Sequence, residues 1–256
     1  MSKWVKMGYN KSATENALLW GERMKAISLF IDPDSELSQA IETALANGTL
    51  KSRKFKLNAG EYLFMEGETV HETFYIHRGL VQLFSTTPLG QTKTVFFYKA
   101  GTLIGYQELQ KNTVGKPTIL SAQATANCEL SAIDAKSITS LFQTDGKVGF
   151  LFTQFLFKQL SMQAREAVNA TAYSTLERFS ALLLALCRNM GSMQAPAIIP
   201  FANEELARML GVHPNSITNA VNNLRKANCV DRRRNLLMVT DFKKLKTIAG
   251  SLIEES

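Results

Sequence analysis

Three groups of side chains in this sequence could do chemistry. His71-Glu72 and His77 are the only candidates for a metal site of the cupin-like oxygenase kind, which needs two or three histidines and a carboxylate converging on one ion. Their spacing on strand-like sequence does not force convergence, and no metal or other cofactor is expected. Cys128, Cys187 and Cys229 could act as thiols. They are sparse, odd in number and without a C-x-x-C pair, which points to a reducing compartment rather than a disulfide scaffold. A redox sensor using Cys128, at a strand junction, or Cys229, just before a basic hairpin, is an alternative; small buried hydrophobes are the simpler reading. The sequence has no Gly-x-Ser-x-Gly, no P-loop and no His-Glu-x-x-His, so no catalytic residues are expected and an enzyme is disfavoured.

The third group is more regular. In "NEELARMLGVHPNSITNAVNNL", residues 203–224, Asn203 can cap a helix that carries Glu204 and Glu205 in its first turn. Gly211 allows the left-handed conformation that ends it. His213 then caps a second helix, with Pro214 at the first helical position. So tight a turn makes the two helices cross steeply, as in a helix-turn-helix. At about 100° per residue, Ile217, Ala220, Val221 and Leu224 share one face, and Asn215, Asn219, Asn222 and Lys226 share the opposite one. A merely solvated face would carry Glu and Lys, because Asn is a poor helix former. Asparagine does offer a paired donor and acceptor to an adenine edge in the major groove. His213, Asn215, Ser216, Asn219, Asn222 and Lys226 are therefore candidates to contact double-stranded DNA. The following "CVDRRRNLLMVTD" reads as a hairpin whose turn carries Arg232, Arg233 and Arg234, a wing for the phosphate backbone.

The rest of the chain must position that unit. Between Lys51 and about residue 133, short strands alternate with turn signals: a strand at Tyr62–Met65, two about Arg78-Gly79, others at Ile119–Ala126 and Glu129–Ile133. That spacing belongs to a small β-barrel or jelly roll. A short helix is expected around residues 35–46. A long helix follows from about Asp145 to Ala170, apolar on nearly every side through Val148, Leu151, Phe152, Phe155, Leu156 and Leu160. Such a helix must be buried all round, and a second copy of itself is an economical cover. Ser174 with Glu177 forms a capping box that starts another helix, so the break before it is a candidate hinge. The expected class is α+β in three parts: 1–144 a β-barrel effector-sensing domain with an N-terminal extension, 145–172 a dimerisation helix, and 173–256 a winged helix-turn-helix.

With 256 residues, 45% hydrophobic and 20% charged, the chain can bury a good core. The net charge of +7 suits an anionic partner without identifying one. No apolar stretch reaches membrane-spanning length and no signal peptide is evident, so a cytoplasmic protein is expected.

The segments "LNAGEYLFMEGE", "FYIHRGLVQLF", "KAGTLIG" and "NEELARMLGVHPNSITNAVNNLRK", within a match from about Leu37 to Gly250, resemble the cyclic-AMP receptor protein and fumarate–nitrate reduction regulator superfamily of bacterial transcription factors. Within it, "TLIGYQELQ" and "LFQTDGKVGFLFTQFL" look most like the regulators that sense halogenated phenols. The resemblance implies a cyclic-nucleotide-binding-like barrel and a homodimer joined along the long helices. It also implies a small effector between barrel and helix, and RNA polymerase as a partner. Cyclic-nucleotide binders carry Gly-Glu after the "IG" element and a later Arg-Ser pair. Here Tyr106 follows Gly105, and Thr118-Ile119 falls near the Arg-Ser position, so cyclic AMP is not the expected ligand. The iron–sulfur branch uses an N-terminal cysteine cluster, and no cysteine precedes Cys128. Phe97, Tyr98, Gly105, Tyr106, Phe155 and Gln159 are the candidate effector residues. Tyrosines could hydrogen-bond a phenol or carboxylate, phenylalanines could stack on a ring, and Lys99 could supply a counter-charge. Because Asn215 and Asn219 stand where relatives commonly have Glu and Arg, a palindrome with A·T-rich half-sites is expected.

Overall fold

The computed structural model describes residues 29–87, 90–106, 117–233 and 236–252. Among them, one compact unit comprises 29–163 with 207–211, and the other 164–206 with 212–252.

The first unit is built from β1 (Phe30–Ile31), α1 (Ser35–Ala46), β2 (Ser52–Leu57), β3 (Tyr62–Phe64), β4 (Glu72–Arg78), β5 (Leu80–Thr86), β6 (Thr92–Lys99), β7 (Leu103–Ile104), β8 (Ser121–Ala124) and β9 (Cys128–Asp134). The strands form two sheets, ordered β1-β6-β5-β8-β3 and β2-β9-β4-β7. Ile76 and Leu130 from one sheet, Val81, Leu83 and Tyr98 from the other, and Leu37 and Ile41 from α1 belong to one core. This is the β-sandwich arrangement expected of a jelly roll, in which alternate residues of each strand face inward. Two features were not legible beforehand. The parallel pairing of β1 with β6, Phe30 opposite Phe97, joins segments far apart in sequence. The short helix α2 (Ala135–Thr144) begins directly at the end of β9, where Asp134 accepts the Ser137 N–H at 2.9 Å.

The long helix α3 is Gly146–Ala172. Its apolar residues divide by face. Val148, Phe152, Phe155 and Met162 are buried with the barrel core, and Leu151 and Leu156 are half-buried. Leu160 departs from the expectation of burial on every side: it is 64% exposed, with Phe150 at 62% and Phe157 at 63%. One side of α3 packs on the barrel, and this other stripe has no covering side chain among the described residues.

The second unit contains the end of α3, α4 (Thr175–Asn189), β10 (Ala197–Ile199), the start of α5 (Asn203–Leu210), α6 (Pro214–Lys226), β11 (Val230–Arg233), β12 (Leu236–Val239) and α7 (Phe242–Ala249). Ser174 caps α4 as its sequence requires: its hydroxyl accepts from Glu177 N–H at 3.3 Å, and Glu177 Oε2 accepts from Ser174 N–H at 2.9 Å. Phe179, Leu182, Leu183, Leu186 and Cys187 line the buried body of α4. The strands form an antiparallel sheet ordered β10-β12-β11. Among the described residues, no helix is long and apolar enough to cross a membrane.

Candidate nucleic-acid interface and effector cluster

Helix α6 has the two-faced character its sequence requires. Ile217, Ala220, Val221 and Leu224 are buried; Asn215, Asn219, Asn222 and Lys226 are exposed along the opposite stripe. His213 caps the helix, its Nδ1 accepting the Asn215 N–H at 3.2 Å, with Pro214 at the first position. Ser216 is half-buried on a flank of the stripe. Gly211, with φ +65°, takes the left-handed conformation that ends α5.

Two readings of this region change. Asn203 is not the cap of α5 but lies in its first turn. The Leu206 N–H bonds to Ala202 O, and the Ala202 N–H is capped by Glu205 Oε2 at 2.8 Å. The Asn203 side chain is thereby free for other work: its Nδ2 donates to Thr218 Oγ1 at 3.1 Å, and its Oδ1 accepts from Arg232 Nη2 at 2.7 Å. Arg232 and Arg233, expected in the hairpin turn, lie within strand β11, opposite Leu237 and Leu236. Antiparallel pairing carries the strand further than the run of arginines suggested. Arg234 falls outside the described residues. Asn203 was missed as a side-chain bridge because cap and bridge use the same residue type.

The effector candidates separate into a cluster and two outliers. Tyr98 on β6 donates to Gln159 Oε1 on α3 at 2.7 Å, and the Tyr106 hydroxyl donates to the same oxygen. The two hydroxyls are 3.1 Å apart. Tyr106 packs edge-on against Phe152 and Phe155, at 5.8 and 6.3 Å between centroids. Burial, reinforced by the neighbouring Tyr106, pushes the Tyr98 phenol well above its ordinary value, and burial also raises Tyr106. Both are therefore neutral donors at physiological pH. Gln159 is 6% exposed, and its Nε2 meets no acceptor among the described residues. An amide hydrogen buried without a partner is uncommon and costs on the order of 1–3 kcal/mol.

Phe97 does not join this cluster. Successive strand residues point to opposite faces, so Phe97 turns away from Tyr98 and stacks on Phe30 at 5.2 Å. Gly105 contributes backbone only: at φ +79°, a Cβ there would meet Phe74 Cδ2 at 3.0 Å. Lys99 is engaged by Asp32 at 2.6 Å. Phe152 and Phe142, stacked at 4.4 Å, are the aromatic neighbours that sequence reading left out of the site. The histidines do not form a metal cluster among the described residues. His71 is exposed ahead of β4, and the His77 Nε2 shares a hydrogen with Ser131 Oγ at 2.8 Å. All three cysteines are buried, and burial raises each thiol above its ordinary value, Cys187 to about 11.

A β-sandwich sensor followed by a long helix and a winged helix-turn-helix defines a class of DNA-binding regulators, and comparison with known proteins agrees. The cyclic nucleotide-binding domain family matches residues 54–145, and the Crp-like helix-turn-helix domain family matches 177–248. The chain belongs to the Crp/Fnr superfamily of transcription regulators and is not an enzyme. Among curated proteins it is similar to electron transport regulator A of Shewanella oneidensis, 18% identical over 202 residues, 78% of this chain and 79% of that one. Among solved structures it resembles the c-di-GMP-responsive global regulator CLP of Xanthomonas campestris, with a TM-score of 0.70 at 18% identity over 81% of this chain and 100% of that one. It also resembles CprK complexed with OCPA, with a TM-score of 0.61 at 20% identity over 86% of this chain and 99% of that one. At these identities the structural likenesses establish the fold.

Proposed function

We propose that this regulator acts as a homodimer that reads palindromic, A·T-rich promoter DNA and is switched by a small aromatic effector. The observation that carries the DNA reading is the stripe of Asn215, Asn219, Asn222 and Lys226, exposed opposite the buried face of α6. Asparagine favours adenine, and Lys226 suits a phosphate. Two copies related by a twofold axis would place half-sites about one helical turn apart. The exposed Phe150, Phe157 and Leu160 on α3 support the dimer, because isologous pairing of such a stripe removes it from water. RNA polymerase is the expected partner at the promoter, and the cytoplasm the expected setting.

The effector reading rests on Tyr98, Tyr106 and Gln159. Two phenol hydrogens are spent on one amide oxygen while the amide's own hydrogens go unused. A ligand bearing an acceptor such as a phenolate or carboxylate would satisfy Gln159 Nε2 and take the tyrosine hydrogens, with Phe152 and Phe155 against its ring. Cyclic AMP fits poorly, since Tyr106 follows Gly105 and Thr118-Ile119 supplies no guanidinium for a phosphate. The neighbour CprK was solved complexed with OCPA, and the sequence resemblance to halophenol-sensing regulators favours trying chlorinated phenols and aryl acids first. The test is a selection of duplexes from a random library by the purified protein, with and without those compounds. Enrichment of A·T-rich inverted repeats, tightened by one of them, is the expected result. Recovery of G·C-rich half-sites overturns the base reading, and indifference to every aromatic overturns the effector reading.

A further inference from the structure

Arg232 and Arg233 of the wing are not equivalent, and the register shows why. Residues paired across an antiparallel ladder point to the same face of the sheet. Arg232 pairs with Leu237, which is 1% exposed, whereas Arg233 pairs with Leu236, which is 43% exposed. The Arg232 stem therefore rises from the inward face of the wing and Arg233 from the outward face. Arg233 turns back to Asp231 on its own strand, 3.6 Å away. Arg232 instead reaches Asn203, whose other amide atom holds Thr218. Thr218 lies on the flank of α6 beside the exposed stripe, one turn before Asn222. One half-buried asparagine thus ties the wing to the recognition helix with two hydrogen bonds in opposite senses.

We infer that Asn203 is a positioning residue for DNA binding: it holds the Arg232 guanidinium at a fixed place beside α6, where the phosphate backbone runs when the stripe enters the groove. The inference rests on the DNA reading above and adds to it a residue that itself touches no base. An arginine on a mobile wing must lose side-chain freedom when it meets a phosphate, while a preorganised one has already lost it. The guanidinium has five N–H donors, so one can stay on Asn203 while others face a phosphate.

The test compares wild type, Asn203→Ala, Arg232→Ala, the double variant and Asn203→Gln on a duplex recovered by selection with the wild-type protein, over a range of salt. Asn203→Ala removes no charge. A merely structural asparagine would leave the number of released counterions unchanged. The expected result is that Asn203→Ala, like Arg232→Ala, flattens the dependence of log K on log salt by about one and weakens binding on the order of tenfold. The double variant should be no weaker than Arg232→Ala alone. Asn203→Gln keeps a neutral amide acceptor for Arg232 and should retain the wild-type slope; it also serves if Asn203→Ala fails to fold. An unchanged slope and affinity for Asn203→Ala overturns the inference while leaving the DNA reading standing, as do multiplicative losses in the double variant. Tighter binding by Asn203→Ala overturns it too, since Asn203 would then compete with DNA for the arginine. Failure of the wild type to bind any duplex removes both readings together.

Discussion

Arg178, near the start of α4, donates Nη2 to Glu166 Oε1 near the end of α3 at 2.8 Å, and the two side chains are only 6% and 15% exposed. The pair spans the break at Tyr173-Ser174, the candidate hinge, so it ties the two helices across that break. Removing one partner of a buried pair strands the other charge, whereas replacing both with apolar groups removes the desolvation cost as well. Glu166→Ala should therefore destabilise by about 3 kcal/mol in urea unfolding. The Glu166→Leu/Arg178→Met pair should stay within about 1 kcal/mol of wild type. If the single variant is as stable as the double, the pair does not hold the hinge.

Gln159→Leu should separate sensing from folding. The change removes a buried amide with an unpartnered hydrogen and leaves Tyr98 and Tyr106 bonded to each other. Thermal stability without effector should move by no more than about 1 kcal/mol, while any tightening of DNA binding by an aromatic acid disappears. Both tyrosine pKa values are raised in the folded protein. The sign follows: their contribution is complete below the unfolded value near 10 and is lost as pH rises through it toward the folded values. Stability should accordingly be insensitive to these groups between pH 6 and about 9 and fall above about 10, a fall that Tyr98→Phe lessens.

Within the exposed stripe of α6 proposed to read DNA, Asn219→Ala should relax the base preference at one position of each proposed half-site and weaken specific binding by about 1–3 kcal/mol. Lys226→Ala should instead weaken all sequences alike and reduce the salt slope by about one. Quantitative binding to a panel of single-base variants separates the two outcomes.

Phe157→Glu places a charge in the centre of the exposed apolar stripe of α3. Sedimentation should show single chains in place of the proposed dimer, with far-ultraviolet circular dichroism unchanged, because Phe157 contributes little to the barrel core. An unaltered sedimentation coefficient would mean that the stripe is not the dimer contact.

The three thiols are buried and their pKa values raised, so little thiolate is present near neutrality. Ellman's reagent should label the native protein slowly and all three thiols quickly in denaturant, and Cys229→Ser should leave DNA binding indifferent to mild oxidants. A fast-reacting native thiol that alters DNA binding would favour the redox alternative.

Local rules made much of this protein legible from its sequence. The Ser174–Glu177 box, Gly211, Pro214 and the face pattern of α6 depend on residues within a turn or two of one another, so their outcome is written in neighbouring letters. The order of short strands was readable for the same reason. What only the tertiary structure decided involves partners distant along the chain. Strand pairing turned Phe97 away from Tyr98 and put Arg232 and Arg233 on opposite faces of the wing. Packing on the barrel brought Gln159 to two tyrosines more than fifty positions away and left half of an apolar helix uncovered. Asn203 shows both regimes in one residue: its type suits a cap, but Glu205 caps the helix and the asparagine amide bridges helix and wing. Backbone periodicity is set by the nearest residues, whereas the partner of a polar atom is whichever group the fold carries within about 3 Å.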